Sequence, residues 1–185
     1  MTALYAVPAL AILLGLWLVL AYNRLVRARN MTAEAASGVD VQLKRRADLI
    51  PNLVESVKGY AGHEKAVFGE VAALREKSLA ARTPAEQSAV EAPLSRALGS
   101  LFAVAEAYPQ LKASENFLAL QADLAKIEEA LEMARRYYNG CARNQNILVQ
   151  SFPSSLIAGL FRFGEAQYFE VADAAERAAP KVFFP

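Results

Sequence analysis

Apolar residues recur at steps of three and four through VDVQLKRRADLIPNLVESVKGYAGHE, residues 39–64. At that spacing Val39, Leu43, Ile50, Leu53, Val57 and Tyr60 share one side of a helix, and Ala47, Val54, Ala61 and Phe68 widen the stripe. A stripe this wide suits a bundle better than a two-stranded coiled coil. Arg45, Asp48, Asn52 and Glu55 repeat on the opposite side as a polar stripe. The seam continues through Val67, Val71 and Leu74, which predicts one long first helix reaching about Ser78. Pro51 lies inside it, lacks a backbone donor and is expected to kink it. Arg46 and Glu64 interrupt the apolar seam; each is expected to pair with a neighbour or to reach solvent from the stripe's edge.

Two more helices follow. In Thr83-Pro84-Ala85-Glu86, Thr83 suits the cap, Pro84 the first helical position, and Glu86 completes a capping box. The second helix carries the stripe Leu94, Leu98, Leu101, Phe102 and Ala105, has a candidate break at Pro93, and ends at Tyr108-Pro109. Ser114 and Glu115 open the third. Its seam, from Phe117 through Leu124, Leu131 and Tyr138 to Cys141 and Leu148, holds a seven-residue repeat until Phe152-Pro153 stops it. Leu156, Ile157, Leu160, Phe161 and Phe163 crowd a short helix. It is expected to cap the open end of the bundle, because it lacks the basic polar face of a membrane-surface helix. A further helix is expected within Glu165–Ala178, then an extended end from Lys181 to Pro185.

Ala3 to Tyr22 holds no charged side chain, and about 20 such residues cross a bilayer as a helix. No Lys or Arg precedes the run, and it is long for a signal peptide, so it reads as a retained anchor. Arg24, Arg27 and Arg29 follow at once; the positive-inside rule then places the C-terminal body in the cytoplasm. The same arginines are within reach of anionic lipid headgroups. The architecture expected is all-α: a single N-terminal transmembrane helix continuing into an antiparallel bundle of three main helices plus short C-terminal helices. The chain divides into an anchor (1–23), a membrane-proximal stem (24–46), a bundle (47–150) and a capping segment (151–185). At 1.5 Å per residue the second helix spans only ~36 Å against ~73 Å for the first beyond the membrane, which leaves the stem without an intramolecular partner. Its small and apolar residues Ala33, Ala36, Val39 and Leu43 are therefore candidates for self-association.

Charge and chemistry narrow the function. Lys plus Arg number 20 against 19 Asp plus Glu, so overall charge implies no nucleic-acid partner. Between Tyr22 and Arg46, however, basic residues exceed acidic ones by four. His63 is the one histidine and Cys141 the one cysteine; no zinc pair, Gly-rich phosphate loop or GxSxG is present. The acidic residues Asp123, Glu128, Glu129 and Glu132 read as a solvated helix face. No cofactor, metal or small-molecule substrate is implied.

The chain resembles the LemA family of bacterial membrane-anchored helical proteins. The residues that carry the likeness are YNRLVRARN at 22–30, DVQLKRRADLIPNLVESVKGYAGHE at 40–64, AEAYPQLKASENFLALQADL at 105–124, ARRYYNGCARNQNILVQSFPSSLIA at 134–158, and the terminal PKVFF. Gly140-Cys141 and Ala35-Ala36-Ser37 depart from the usual family residues. The resemblance implies one N-terminal membrane helix, a helical bundle and no established catalytic activity, with a loose link to membrane stress proteases. Two classes of function remain. One is a non-enzymatic scaffold or adaptor at the bacterial inner membrane, with lipid, further copies of itself and possible membrane-protein partners; an accessory subunit of a stress protease is a variant of it. The other is an enzyme or enzyme subunit with a site assembled from the Arg45–Glu55 stripe and polar groups of the third helix such as Arg135 and Asn139. An enzyme requires those groups to converge in a pocket; a scaffold leaves them in a row on a helix face.

Overall fold

The computed structural model describes the backbone of residues 2–170 and the side chains of residues 8–170. Every regular element in that range is a helix: α1 Thr2–Lys58, α2 Lys65–Ala80, α3 Pro84–Glu106, α4 Pro109–Lys112, α5 Glu115–Gln150 and α6 Ser154–Leu160. The protein is an all-α bundle with a long apolar helix at its N-terminus. Only 11% of the most apolar window of α1 is buried within the chain. Leu10, Ile12, Leu13, Leu14 and Leu16 are all exposed, as a lipid-facing surface requires.

The first helix is shorter than its seam predicts. It ends at Lys58, where the amides of Tyr60 and Ala61 both donate to the Val57 carbonyl and the chain turns through Gly59 and Gly62. The stretch expected to continue it becomes the separate helix α2, so the described chain has four long helices where three were expected. The two internal prolines break nothing: α1 runs through Pro51 and α3 through Pro93. Pro51 cannot donate to the carbonyl of Ala47 one turn back, and Nε of Arg75 on α2 takes over that bond at 2.6 Å. The capping box forms as expected. Thr83 Oγ1 accepts from the Glu86 amide at 3.2 Å, and Glu86 Oε2 accepts from the Thr83 amide at 3.1 Å and the Arg82 amide at 2.8 Å. After α6, residues 165–170 are not helical, which corrects the start of the helix expected there. The rest of that helix and the extended end lie outside the described residues.

The chain forms two compact units, neither of them one stretch of sequence. The first joins Met1–Ser37 to Arg135–Gln167. Here the start of α1 and the end of α5 run antiparallel. Arg24, Arg27, Ala28 and Met31 lie beside Cys141, Asn144 and Leu148. One turn further along α1, Glu34 acts on Tyr137, whose hydroxyl is pushed above its ordinary value first by its hydrogen bond to Cys141. Ala21, Leu25, Ile157, Ala158 and Phe163 form the core, with Trp17, Val26, Leu148 and Val149 packed against it. A strap after α6 is pinned to α5 by side chains. Asn146 holds residue 166 twice, Nδ2 donating to the Ala166 carbonyl at 2.9 Å and Oδ1 accepting from its amide at 2.7 Å. Gln145 Nε2 donates to the Gly164 carbonyl, and the Tyr138 hydroxyl to that of Gln167.

The second unit joins Gly38–Ala134 to the last described residues, 168–170. Its core takes Ile50, Leu53, Val54, Val57 and Ala61 from α1 and the turn after it, Phe68 and Val71 from α2, Leu94, Ala97, Leu98, Leu101 and Ala105 from α3, and Phe117 and Leu124 from α5. These are the positions marked by the three- and four-residue steps of the sequence.

The stem does not match the expectation of a helix without an intramolecular partner. Leu25, Ala28, Thr32 and Ala35 are buried in the first unit, Val39 and Leu43 in the second. The partner of the lower stem is the last part of α5, a single helix of 36 residues, about 54 Å long, whose Cys141, Asn144 and Leu148 lie beside Arg24, Ala28 and Met31. Burying Val39 and Leu43 removes them as candidates for contact between copies; Ala33 remains exposed and Ala36 half-buried.

Candidate functional site

Arg45, Asp48, Asn52 and Glu55 are all exposed on α1, in the row that their spacing predicts. Arg45, Asp48, Leu49 and Asn52 form one wall of a shallow, open groove whose other wall is Asp123, Lys126 and Ile127 of α5. Glu55 is not part of it. The charges are partnered along their own helices: Lys44 with Asp48 at 3.3 Å, Lys58 with Glu55 at 2.8 Å and Lys126 with Asp123 at 3.0 Å. Such exposed pairs contribute ~0–1 kcal/mol each, so they hold the side chains only lightly. The stripe therefore offers a wide, mixed-charge surface rather than a closed pocket.

One position inward, Arg46 is fully buried. Its two terminal nitrogens meet the two carboxylate oxygens of Glu91 on α3, Nη1 at 2.9 Å and Nη2 in a very short contact. Nη1 also reaches Glu128 on α5 at 3.4 Å, and Nη2 reaches the Ser78 hydroxyl on α2 at 3.5 Å. Burial works against the guanidinium charge, but the Glu91 bonds and charge and then Glu128 outweigh it, and Arg46 is held above its ordinary value. A planar fork meeting a carboxylate two-to-two is the geometry at which Arg exceeds Lys. Nearby, Gln87 Nε2 donates to Asp40 Oδ1 at 3.0 Å. This cluster ties α1, α2, α3 and α5 together through one side chain. Of the two expectations for Arg46, pairing or reaching solvent, the structure gives pairing; what the sequence did not disclose is which residues supply it. Glu128, read as part of a solvated face, is drawn partly into it.

The basic residues Arg24, Arg27 and Arg29 are exposed. Arg29 also has a partner within the chain: its guanidinium lies over the Phe163 ring, 5.2 Å from the centroid. Phe163 and Phe161 in turn meet Tyr22 edge-on, at centroid distances of 5.7 and 4.9 Å. Among the described residues, no three or more His, Cys, Asp or Glu side chains gather as metal ligands would.

A long apolar N-terminal helix, an all-α bundle and an exposed rather than enclosed polar surface define the class: a membrane-associated helical bundle protein. The chain belongs to the LemA family, whose model matches residues 35–184 and so begins beyond the apolar run. Among curated proteins it is similar to Magnetosome protein MamQ 2 of Paramagnetospirillum magneticum, 24% identical across 86% of this chain and 68% of that one. It is likewise similar to Magnetosome protein MamQ of Magnetospirillum gryphiswaldense, at 22% across 90% and 71%. Protein LemA of Metamycoplasma hominis is 25% identical across 74% of this chain and 63% of its own length.

Proposed function

We propose that the protein is a non-enzymatic scaffold or adaptor of the bacterial inner membrane, held by one spanning helix with its body in the cytoplasm. It acts through protein–protein contacts, including contacts with further copies of itself. The observation that carries this reading is the form of the polar stripe. Its groups stand in an open row, with Asp48 and Glu55 paired to lysines on their own helix, where catalysis would call for convergence and exclusion of water. Exposed Arg45, Asp48 and Asn52 beside Leu49 and Ile127 offer the mixture of charge and apolar area that a partner surface uses. Contacts between copies use what the stem leaves outside, the face around Ala33, while the anchors confine copies to one plane and raise their effective concentration. The test is site-specific photocrosslinking in native membranes, with the probe at Asn52, at Ala33 and at exposed Ser100 as the reference. Adducts heavier than the monomer at Asn52 or Ala33, absent at Ser100, are expected. Monomer alone at all three positions would overturn the reading.

A further inference from the structure

A second apolar surface lies on the segment between α5 and the strap. From Asn144 to Phe161 the chain carries no charge. In α6, Ile157 and Ala158 turn inward and are 3% and 1% exposed. The other side is apolar too, and it is bare: Phe152, Leu156, Leu160 and Phe161 are 81%, 65%, 77% and 55% exposed. The expected role of a cap accounts for the first face and leaves the second without an occupant.

The position of the segment supplies one. Ile157, Ala158 and Phe163 pack with Ala21 and Leu25 of α1, and Trp17 packs against the same cluster. The uncharged run of α1 ends at Asn23, so Trp17 lies ~9 Å inside that end at 1.5 Å per residue. Leu148 on α5 is level with Arg24 and Ala28, and α5 runs antiparallel to this part of α1. The turn after Gln150 therefore arrives at about the height of Tyr22, and α6 lies at or below it. From there the strap leads back along α5, through bonds to Asn146, Gln145 and Tyr138. The segment is thus the membrane-proximal tip of the first unit. The basic face that a membrane-surface helix usually carries itself is supplied by its surroundings: Arg24, Arg27 and Arg29 on α1, and Arg162 just beyond Phe161. Tyr22, Phe161 and Phe163 form the aromatic contact at the same height, where interfacial aromatics collect.

The geometry points to a second membrane contact: residues 152–161 dip into the bilayer leaflet beside the anchor, with Phe152, Leu156, Leu160 and Phe161 facing lipid. This rests on the reading of α1 as the membrane anchor, and it gives the first unit a two-point attachment that fixes its orientation to the surface. A single helix would leave that unit free to tilt and spin about the anchor.

The test uses the full chain with Cys141→Ser and one new cysteine at a time, Ile12→Cys, Leu160→Cys or Ser100→Cys. Each is labelled with an environment-sensitive nitrobenzoxadiazole dye in vesicles of phosphatidylcholine and phosphatidylglycerol. Nitroxide lipids spin-labelled at shallow or deep acyl positions serve as quenchers. At Leu160, blue-shifted emission is expected, with stronger quenching by the shallow nitroxide than by the deep one. The deep nitroxide should quench at Ile12, and neither should quench at Ser100. Quenching at Ile12 but not at Leu160 would overturn the second contact and leave the anchor standing. A Leu160 label shielded from iodide in solution yet untouched by lipid nitroxides would assign the face to a protein partner instead, and also overturn it. Failure at Ile12 would remove the anchor and the proposal together. In Leu156→Glu/Leu160→Glu, whose two side chains are exposed and leave the core intact, a label at Phe152→Cys is expected to lose its lipid quenching.

Discussion

Arg46 and Glu91 lie 45 residues apart in the chain and meet through both ends of a guanidinium and both oxygens of a carboxylate, with the Arg46 side chain 1% exposed and that of Glu91 14%. Removing one member leaves a buried charge short of its main partner, which costs on the order of 3–5 kcal/mol. Glu91→Ala is therefore expected to destabilise the detergent-solubilised chain strongly in denaturant unfolding. The double variant Arg46→Met/Glu91→Leu should recover most of that loss, because neither charge then has to be desolvated. A double variant as unstable as Glu91→Ala would show that the pair is not the source of the cost.

Arg75 is expected to matter because of Pro51. Its Nε satisfies the Ala47 carbonyl that the proline leaves without a donor. Arg75→Met should cost about 1–3 kcal/mol by stranding that carbonyl. In a Pro51→Ala background the helix supplies its own donor, so the same substitution should cost markedly less. A double-mutant cycle with no coupling between the two positions would separate them.

Thr83→Ala should cost ~1 kcal/mol through loss of the cap. The pH dependence belongs to Glu86, whose carboxyl is held below its ordinary value of 4.5 by the backbone amides of Arg82 and then Thr83. A depressed folded-state value means that the carboxylate's contribution is complete above pH 4.5 and is lost as pH falls through the folded value. The stability gap between the unaltered chain and Glu86→Gln should accordingly close on acidification below that point. A gap that persists at low pH would assign it to packing.

Asn146→Asp tests the strap. The substitution keeps the size of the side chain but replaces the donor to the Ala166 carbonyl with a second acceptor. Faster amide exchange is expected at Ala166 and its neighbours, with the α1–α3 core unchanged. Equal exchange in the two proteins would mean that the ring contacts of Phe161 and Phe163 hold the strap by themselves.

The proposed topology rests on Arg24, Arg27 and Arg29. A reporter fused after Pro185 should be active in the cytoplasm and inactive when it requires the periplasm. Charge reversal at the three arginines should weaken that preference. A periplasm-dependent reporter active in the unaltered chain would invert the orientation.

The spacing of Ile50, Leu53, Val57, Leu94, Leu98, Leu101 and Leu124 by itself determined that this is an all-α bundle and which faces are buried, because helical period acts over one or two turns and needs no partner to be read. Thr83 and Glu86 were legible for the same reason, since a capping box is closed by residues three apart. The uncharged run of α1 and the arginines after it were equally local, and so was the row from Arg45 to Glu55. The tertiary structure alone decided what depends on distant segments meeting. It placed Glu91 and Glu128 on Arg46, supplied Arg75 to the Ala47 carbonyl, and laid the end of α5 along the stem that seemed unpartnered from lengths alone. It also set α6 against Trp17, Ala21 and Leu25, which a short apolar helix in sequence does not disclose. In each case the deciding quantity is the partner's position in space, and the energy of a buried charge, an orphaned carbonyl or an apolar face is fixed by that partner rather than by the residue's own neighbours in the chain.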